Sequence, residues 1–101
     1  MTSSYNVTSR AAADLDEIAA YTLNAWGEMQ MEVYLRKIDE RFTWLAENPD
    51  LGRKRDDITP GYRCFVEGSH AVFFLVRDGG IDVIGVLHQS RDVETSLRGR
   101  S

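Results

Sequence analysis

The sequence lacks the features that would cross-link a chain through disulfides or hold it in a membrane. It has a single cysteine, Cys64, so no disulfide can form within the chain and a zinc site built on cysteines is excluded. No stretch approaches the roughly 20 apolar residues of a membrane span, and residues 1–5 lack the basic start and apolar run of a signal peptide. We therefore expect a soluble protein of the reducing cytoplasm.

The sequence also lacks a clear excess of basic residues. Its formal net charge is -4, with nine acidic and four basic side chains in residues 1–50 against seven and eight in residues 51–101. A domain whose main ligand is a nucleic acid usually carries an excess of lysine and arginine, because neutralising phosphates supplies much of its affinity. The charge balance argues against RNA or DNA as the principal ligand.

Motifs for common cofactors and catalytic groups are missing as well. The sequence contains no Walker loop, dinucleotide fingerprint, zinc-binding helix, nucleophile elbow or Ser/His/Asp set, so we expect no cofactor. Asp14, Asp16 and Glu17 are close in sequence, but their spacing spreads them around a helix. We interpret them as carboxylates that complement the positive N-terminal end of that helix, and we expect no metal site.

What is present predicts one domain with two consecutive helices. With 101 residues, 43% hydrophobic and 28% charged, the chain has the size and composition of one globular domain spanning residues 1–101. Residues 5–9 alternate as a short strand, and Ser9 stands where the N-cap of a helix over residues 10–25 belongs. Gly27 interrupts the periodicity, which resumes over residues 28–47 and ends at Asn48-Pro49.

The second half of the chain predicts strands. Residues 50–61 are polar and read as a loop, and they are followed by β-rich runs at 62–66, 71–77 and 81–87 with glycine-containing turns between them. The third run alternates so that Ile81, Val83, Gly85 and Leu87 share one face, which the helices would cover. The order β-α-α-β-β-β indicates an α+β fold with a helical hairpin packed on one face of a small, mainly antiparallel sheet.

The segment after Ser90 and the candidate functional residues leave alternatives open. Beyond Ser90 a short helical turn and a loose tail are both compatible with the sequence.

His88 ends the last strand and could act as a general acid or base, or it could simply order the tail by hydrogen bonds. Arg63, Arg77 and Arg91 could converge and stabilise charge on a phosphate, or bind a partner's carboxylates, or remain solvated. His70 is interpreted as a residue that fixes a turn.

Eight short segments, each weak alone, together form a specific pattern of order and spacing. They are Ala13-Asp14-Leu15 with Ile18 and Tyr21, Trp26-Gly27, Tyr34-Leu35, Leu45-Ala46-Glu47-Asn48-Pro49, Leu51-Gly52-Arg53, Pro60-Gly61-Tyr62-Arg63, Gly68-Ser69-His70 and Val86-Leu87-His88-Gln89-Ser90-Arg91-Asp92. Over nearly the whole chain this pattern resembles the ParE branch of the ParE/RelE toxin family. The resemblance implies a cytoplasmic toxin of a type II toxin-antitoxin pair, neutralised by a ParD-like antitoxin and inhibiting DNA gyrase.

Two functional hypotheses follow from the resemblance. The first is a binding toxin that inhibits gyrase without chemistry of its own and contacts its target through Arg63, His88 and Arg91. The second takes the same three residues as the catalytic set of a metal-independent endoribonuclease, like the RelE branch, which cuts messenger RNA on the ribosome. A third possibility is a chain that keeps the fold and antitoxin binding but has lost toxicity.

The antitoxin is expected to bind grooves or a sheet edge beside the helical hairpin. A partly disordered partner can add a helix or a strand at such places and fold as it binds. Tyr21, Met29 and Trp44 are the candidate contact residues, and a core role is the alternative for each of them.

Overall fold

The computed structural model describes residues 3–100, and the predicted order of elements is present in it. Three additions appear within those residues: a 3-10 turn after the second helix, a two-residue strand in the predicted loop and a short helix after Ser90. The elements are β1 (Ser4–Val7), α1 (Ser9–Trp26), α2 (Glu28–Glu47), a 3-10 turn (Pro49–Leu51), β2 (Arg53–Lys54), β3 (Tyr62–Glu67), β4 (His70–Arg77), β5 (Gly80–His88) and α3 (Val93–Leu97). The α+β prediction with a helical hairpin on a small sheet is confirmed.

The helical hairpin begins and turns at residues whose backbone suits those positions. Thr8, rather than Ser9, is the N-cap of α1: its hydroxyl accepts a hydrogen bond from the amide of Ala11 at 3.3 Å, and Ser9 is already helical. Gly27 separates the two helices with a φ of 93°, a left-handed conformation that side chains disfavour. No helix within residues 3–100 is long and apolar enough to cross a membrane.

The sheet has five strands in the order β1-β5-β4-β3-β2. β1 runs parallel to β5 and the other neighbouring pairs are antiparallel, so the sheet is mainly antiparallel as predicted. β1 pairs only with the first half of β5, from Gly80 to Val83. The second half of β5 therefore has no neighbouring strand on that side, and the candidate site lies there.

A β-bulge in β5 corrects the predicted alternation. Phe73 pairs with Gly85 but the next residue, Phe74, pairs with Val83, so Ile84 has no partner residue in β4. After this extra residue the side chains change faces: Val86 joins Ile81 and Val83 beneath the helices. Leu87, expected beside Ile81, instead packs on the opposite side of the sheet.

Both faces of the sheet are covered, which also corrects the prediction of a single covered face. The first core lies between the sheet and the helical hairpin, where Ile38, Phe42 and Leu45 of α2 are almost completely buried. The second lies on the opposite face, where Leu97 of α3 packs with Ile84 and Leu87. Asp92 caps α3 by accepting a hydrogen bond from the amide of Thr95, so the segment after Ser90 is the helical turn.

Candidate functional site

A groove of about 360 Å³ lies between α1 and the unpaired second half of β5. Ile18 and Val86 give it an apolar part, the strand at Leu87 also lines it, and polar side chains from four parts of the chain surround it. These are Asp14, Glu17 and Tyr21 of α1, His70 of β4, His88 of β5, and Ser90 and Arg91 of the loop that follows. We call this cavity the α1-β5 groove. An apolar pocket with a few convergent polar groups is the usual form of a binding site.

The two histidines of the chain meet at this groove. His70 and His88 are directly opposed on β4 and β5, and their ring centroids are 5.3 Å apart at 86°. The bulge brings them together, because without the extra residue His70 would oppose Leu87, and His88 would lie on the opposite face of the sheet from Ile81 and Val83. The sequence places the two histidines at the ends of two strands but does not show that they share a face.

Each imidazole is held through its Nδ1 atom. Nδ1 of His70 lies 2.6 Å from the hydroxyl of Tyr34 on α2, and Nδ1 of His88 lies 2.7 Å from the hydroxyl of Ser90. Burial lowers the pKa of His70 below its usual value, and the neighbouring His88 adds to this effect. His70 thus does more than fix a turn, since it joins α2 to the end of the sheet.

Arg91 reaches the groove from the turn after β5. Its backbone amide donates to the carbonyl of His88 at 2.9 Å, which fixes the start of its side chain. The guanidinium Nη2 donates to Oε2 of Glu17 on α1 at 3.1 Å. Both side chains are more than half exposed, at 56% and 68%, so water screens this ion pair.

Arg63 lies elsewhere, and the three arginines do not converge. Its Nη1 donates to the carbonyl of Gly52 at 2.9 Å, beside β2. Arg63 is four residues along β3 from Glu67, the residue opposite His70, so it is displaced by roughly 13 Å along the strand direction. Arg77 is bound to Asp82 at 2.8 Å near the other end of β4. The structure therefore brings together His88 and Arg91 but not Arg63.

A buried ion pair that the sequence did not reveal closes the rest of the open β5 edge. Asp14 contacts Arg100 through both carboxylate oxygens, at 2.5 and 3.2 Å, and their side chains are only 12% and 8% exposed. Asp14 also accepts the amide of Val86 at 3.0 Å, while Arg100 donates to the carbonyl of Ile84 at 3.4 Å. The ion pair thus satisfies backbone groups of β5 that a neighbouring strand would otherwise bind. This corrects the interpretation of Asp14 as a carboxylate that complements the N-terminal end of the helix.

Gly85 is the sequence signal for this arrangement. A Cβ atom there would lie 2.9 Å from Cδ2 of Leu97 and 3.1 Å from Nη1 of Arg100. A glycine inside an otherwise apolar strand can mark a bulge or a close approach of another group. Here it marks both, although the sequence does not name the groups that approach.

A comparison with family models shows what kind of protein this is. Residues 5–93 match the family described as ParE toxin of type II toxin-antitoxin system, parDE. The chain belongs to the ParE toxin family. Within residues 3–100 of this ParE family member, no group of three or more histidine, cysteine or acidic side chains is placed to hold a metal ion.

Relatives of this ParE chain match it over almost its full length. It is 44% identical over 98 residues to Toxin ParE1 of Mycobacterium tuberculosis, which covers 96% of this chain and 100% of the relative. It is 37% identical to Toxin ParE1 of Caulobacter vibrioides over 92% of this chain and 96% of the relative. Among solved structures, the chromosomal ParDE TA system from P. aeruginosa has the same fold, with a TM-score of 0.72, 24% identity and coverage of 86% and 96%.

The three residues predicted to contact the antitoxin lie in two different environments in this ParE structure. Tyr21 and Met29 are 70% and 80% exposed, and Trp26 beside the hairpin turn is 72% exposed. Trp44 instead packs edge-on against Phe65, with ring centroids 5.1 Å apart. It is a partly buried residue at the margin of the first core. We call Leu23, Trp26 and Met29, the exposed apolar side chains around the turn, the hairpin-tip patch.

Proposed function

We propose that this chain is the toxin of a type II toxin-antitoxin pair, that it acts in the cytoplasm by binding and inhibiting DNA gyrase, and that a ParD-like antitoxin neutralises it. The observation that carries the proposal is the match to the ParE family over residues 5–93, together with ParE relatives that align along their whole length. The neighbour described as a ParDE system supports a ParD-like partner.

The geometry of the candidate residues supports binding rather than catalysis. An endoribonuclease that used Arg63, His88 and Arg91 together would need all three near one phosphate, whereas Arg63 is held at Gly52 and Arg91 at Glu17. The groove holds its acidic and basic side chains in pairs and so offers no excess of positive charge to an RNA backbone. We therefore propose His88 and Arg91 as target-contact residues, with Arg63 outside the groove.

The antitoxin is proposed to cover the hairpin-tip patch and to extend to Tyr21. Exposed tryptophan, tyrosine and methionine side chains are the types that become anchors when a partner buries them. Trp44 has fewer contacts left to offer, because Arg41 stacks 4.5 Å from its ring centre and Phe65 covers its edge. We assign Trp44 to the margin of this interface.

The target is tested with purified protein in two parallel assays. Gyrase should lose its ability to supercoil relaxed plasmid at micromolar concentrations of this protein, and translated messages should show no fresh cuts. Arg91→Ala and His88→Ala should weaken the inhibition, whereas Arg77→Ala removes an arginine from the same sheet outside the groove and should leave it unchanged. Intact gyrase activity together with new cuts in messages would refute the proposal in favour of the endoribonuclease.

The antitoxin interface is tested by adding a charge to the hairpin-tip patch. Met29→Glu should weaken binding of the antitoxin encoded beside this chain by about tenfold or more, because a carboxylate would be desolvated in the interface. Val66 is also an exposed apolar residue, 59% accessible and on β3, so Val66→Glu is the matched control. Equal affinities of the two variants would show that the antitoxin binds elsewhere.

A further inference from the structure

The α1-β5 groove contains hydrogen-bond donors that the described residues leave without acceptors. The amide of Ser90 donates to Nδ1 of His88 at 3.1 Å, so Nδ1 is the unprotonated nitrogen and the ring proton is on Nε2. Within residues 3–100 no hydrogen bond is made by Nε2 of His88 or by Nε2 of His70. This backbone contact fixes the tautomer of His88, a residue that lines the groove, and leaves an N–H group on its Nε2 atom.

The charged groups around the two imidazoles are already paired. On α1, Asp14 is bound to Arg100 and Glu17 to Arg91. On β3, the carboxylate of Glu67 is bound to Arg41 of α2 at 2.7 Å, and the α2 group hydrogen-bonded to His70 is the neutral hydroxyl of Tyr34. These three carboxylates, of Asp14, Glu17 and Glu67, are therefore engaged by arginines and not by the histidines.

The pair of Arg91 and Glu17 differs from the others because both members are largely exposed. Such pairs are weak and exchange readily with groups from solution, whereas Asp14 and Arg100 are locked by burial and backbone contacts. Glu17 can therefore leave Arg91 at little cost. A ligand with the same chemistry as the Glu17 side chain would find both the guanidinium and the N–H of His88.

We propose that the α1-β5 groove is a binding site for a single carboxylate, supplied by an acidic side chain of a protein partner and held by Arg91 and Nε2–H of His88, with His70 adjacent. In the free protein the carboxylate of Glu17 is paired with Arg91 at the position that the partner's carboxylate would take. The assignment rests on the proposed function only in taking the groove as a contact surface. It adds the chemistry that the groove recognises and identifies Glu17 as an internal competitor.

A carboxylate fits this site better than a phosphodiester. Nucleic-acid phosphates come as a polyanion, and a chain of net charge -4 with a groove of balanced charge repels a polyanion more than one isolated charge. A carboxylate is also the more basic anion, so it accepts a stronger hydrogen bond from an imidazole N–H.

Binding is coupled to the protonation of His70. The hydroxyl of Tyr34 can accept from Nδ1 of His70 while donating towards the carbonyl of Glu67 at 3.4 Å, so the network accommodates a doubly protonated ring. Burial and His88 keep the pKa of His70 low in the free protein, and an anion in the groove raises it. A proton is then taken up on binding, so affinity rises as pH falls towards the lowered pKa that His70 has in the free protein.

The site is tested on the full chain by titrating sodium acetate and, separately, dimethyl phosphate while observing the histidine ring signals by NMR. Acetate should shift the His88 signals saturably and more tightly than dimethyl phosphate, and more tightly at lower pH. Glu17→Gln should tighten acetate binding about two- to fivefold, the range expected for removing an exposed ion pair. Arg91→Gln should abolish saturation.

Two matched control variants remove a carboxylate and a guanidinium that lie outside the groove. Asp16 follows the same helix but lines a different cavity, so Asp16→Asn should leave acetate affinity unchanged, as should Arg77→Gln. Tighter binding of dimethyl phosphate than of acetate would overturn the proposal in favour of a nucleic-acid ligand. Equal acetate affinities of Glu17→Gln and Asp16→Asn would also overturn it. Neither result bears on gyrase inhibition, which the supercoiling assay measures separately.

Discussion

Replacing Asp14 by asparagine tests whether the buried ion pair closes the open edge of β5. The substitution keeps the size of the side chain and retains an oxygen that can accept the amide of Val86, now 3.0 Å away. It removes the negative charge from Arg100, whose side chain stays 8% exposed and loses its only charged partner within residues 3–100. The perturbation is therefore an uncompensated buried guanidinium at the edge of the sheet.

The expected loss follows from that burial. Removing one member of a buried ion pair costs about 3–5 kcal/mol of stability, and because the contact with the Val86 amide is retained we expect Asp14→Asn to cost about 3 kcal/mol. A domain of this length is stable by about 5–15 kcal/mol, so the loss is a large fraction of the total. At about 4–8 °C per kcal/mol, the melting temperature should fall by roughly 12–24 °C.

Urea unfolding followed by circular dichroism measures the difference directly. Glu17→Gln is the control, because it removes a carboxylate from the same helix and breaks an exposed ion pair, at a cost of less than about 1 kcal/mol. The slope of free energy against urea should be the same in both variants, so that the midpoints compare stability alone. If Asp14→Asn is no less stable than Glu17→Gln, the reasoning that the pair substitutes for a strand is refuted.

Two further predictions concern other close contacts. Gly85→Ala should destabilise the protein by about 1–3 kcal/mol in the same urea assay, because its Cβ would lie 2.9 Å from Leu97, and a variant as stable as the parent would contradict that packing. The hydrogen bond of Tyr5 to Asp39, with burial, raises the pKa of Tyr5 to about 12, whereas an unfolded tyrosine ionises near 10. This stabilisation is present below about pH 10 and is lost as pH rises towards 12. Over that range the urea midpoint of Tyr5→Phe should therefore fall less steeply with pH than that of the parent protein. Equal pH dependence of the two midpoints would refute this prediction.

The sequence predicted the elements well where a local pattern carries the information. Apolar residues at helical spacing from Tyr34 to Leu45 produced the second helix, and Asn48-Pro49 marked its end. Turns with glycine separated the last three strands at the right places. These features depend on residues that are close in sequence and on backbone conformations that few residue types favour. They can therefore be predicted without knowing which distant residues each element packs against.

Prediction from the sequence failed where one inserted residue changes which side chains of neighbouring strands share a face. The extra residue at Ile84 moves the side chains that follow to the other face, and alternation alone gives no sign of it. The prediction of Leu87 beneath the helices was wrong for this reason, and the meeting of His70 with His88 was not foreseen. Gly85 hinted at an irregularity but did not specify its direction.

The candidate site was predicted in part. His88 and Arg91 lie in one groove because only Gln89 and Ser90 separate them along the chain, a distance over which sequence proximity implies closeness in space. Arg63 is far from both, since its neighbours are set by the pairing of β3 with β2 and β4. The role of Arg100 could not be inferred, because its partner Asp14 is 86 residues away.

The family, the helical hairpin, the mainly antiparallel sheet and the absence of an internal disulfide could all be predicted from the amino-acid sequence. Which polar residues meet depends on the folded domain: the bulge turns His88 towards His70, the segment after α3 brings Arg100 to Asp14, and the turn after β5 places Arg91 against Glu17. The physical reason is that local propensity acts over a few residues, whereas a site is made by contacts between strands and helices distant in sequence. Those contacts depend on the pairing register and packing of the whole domain.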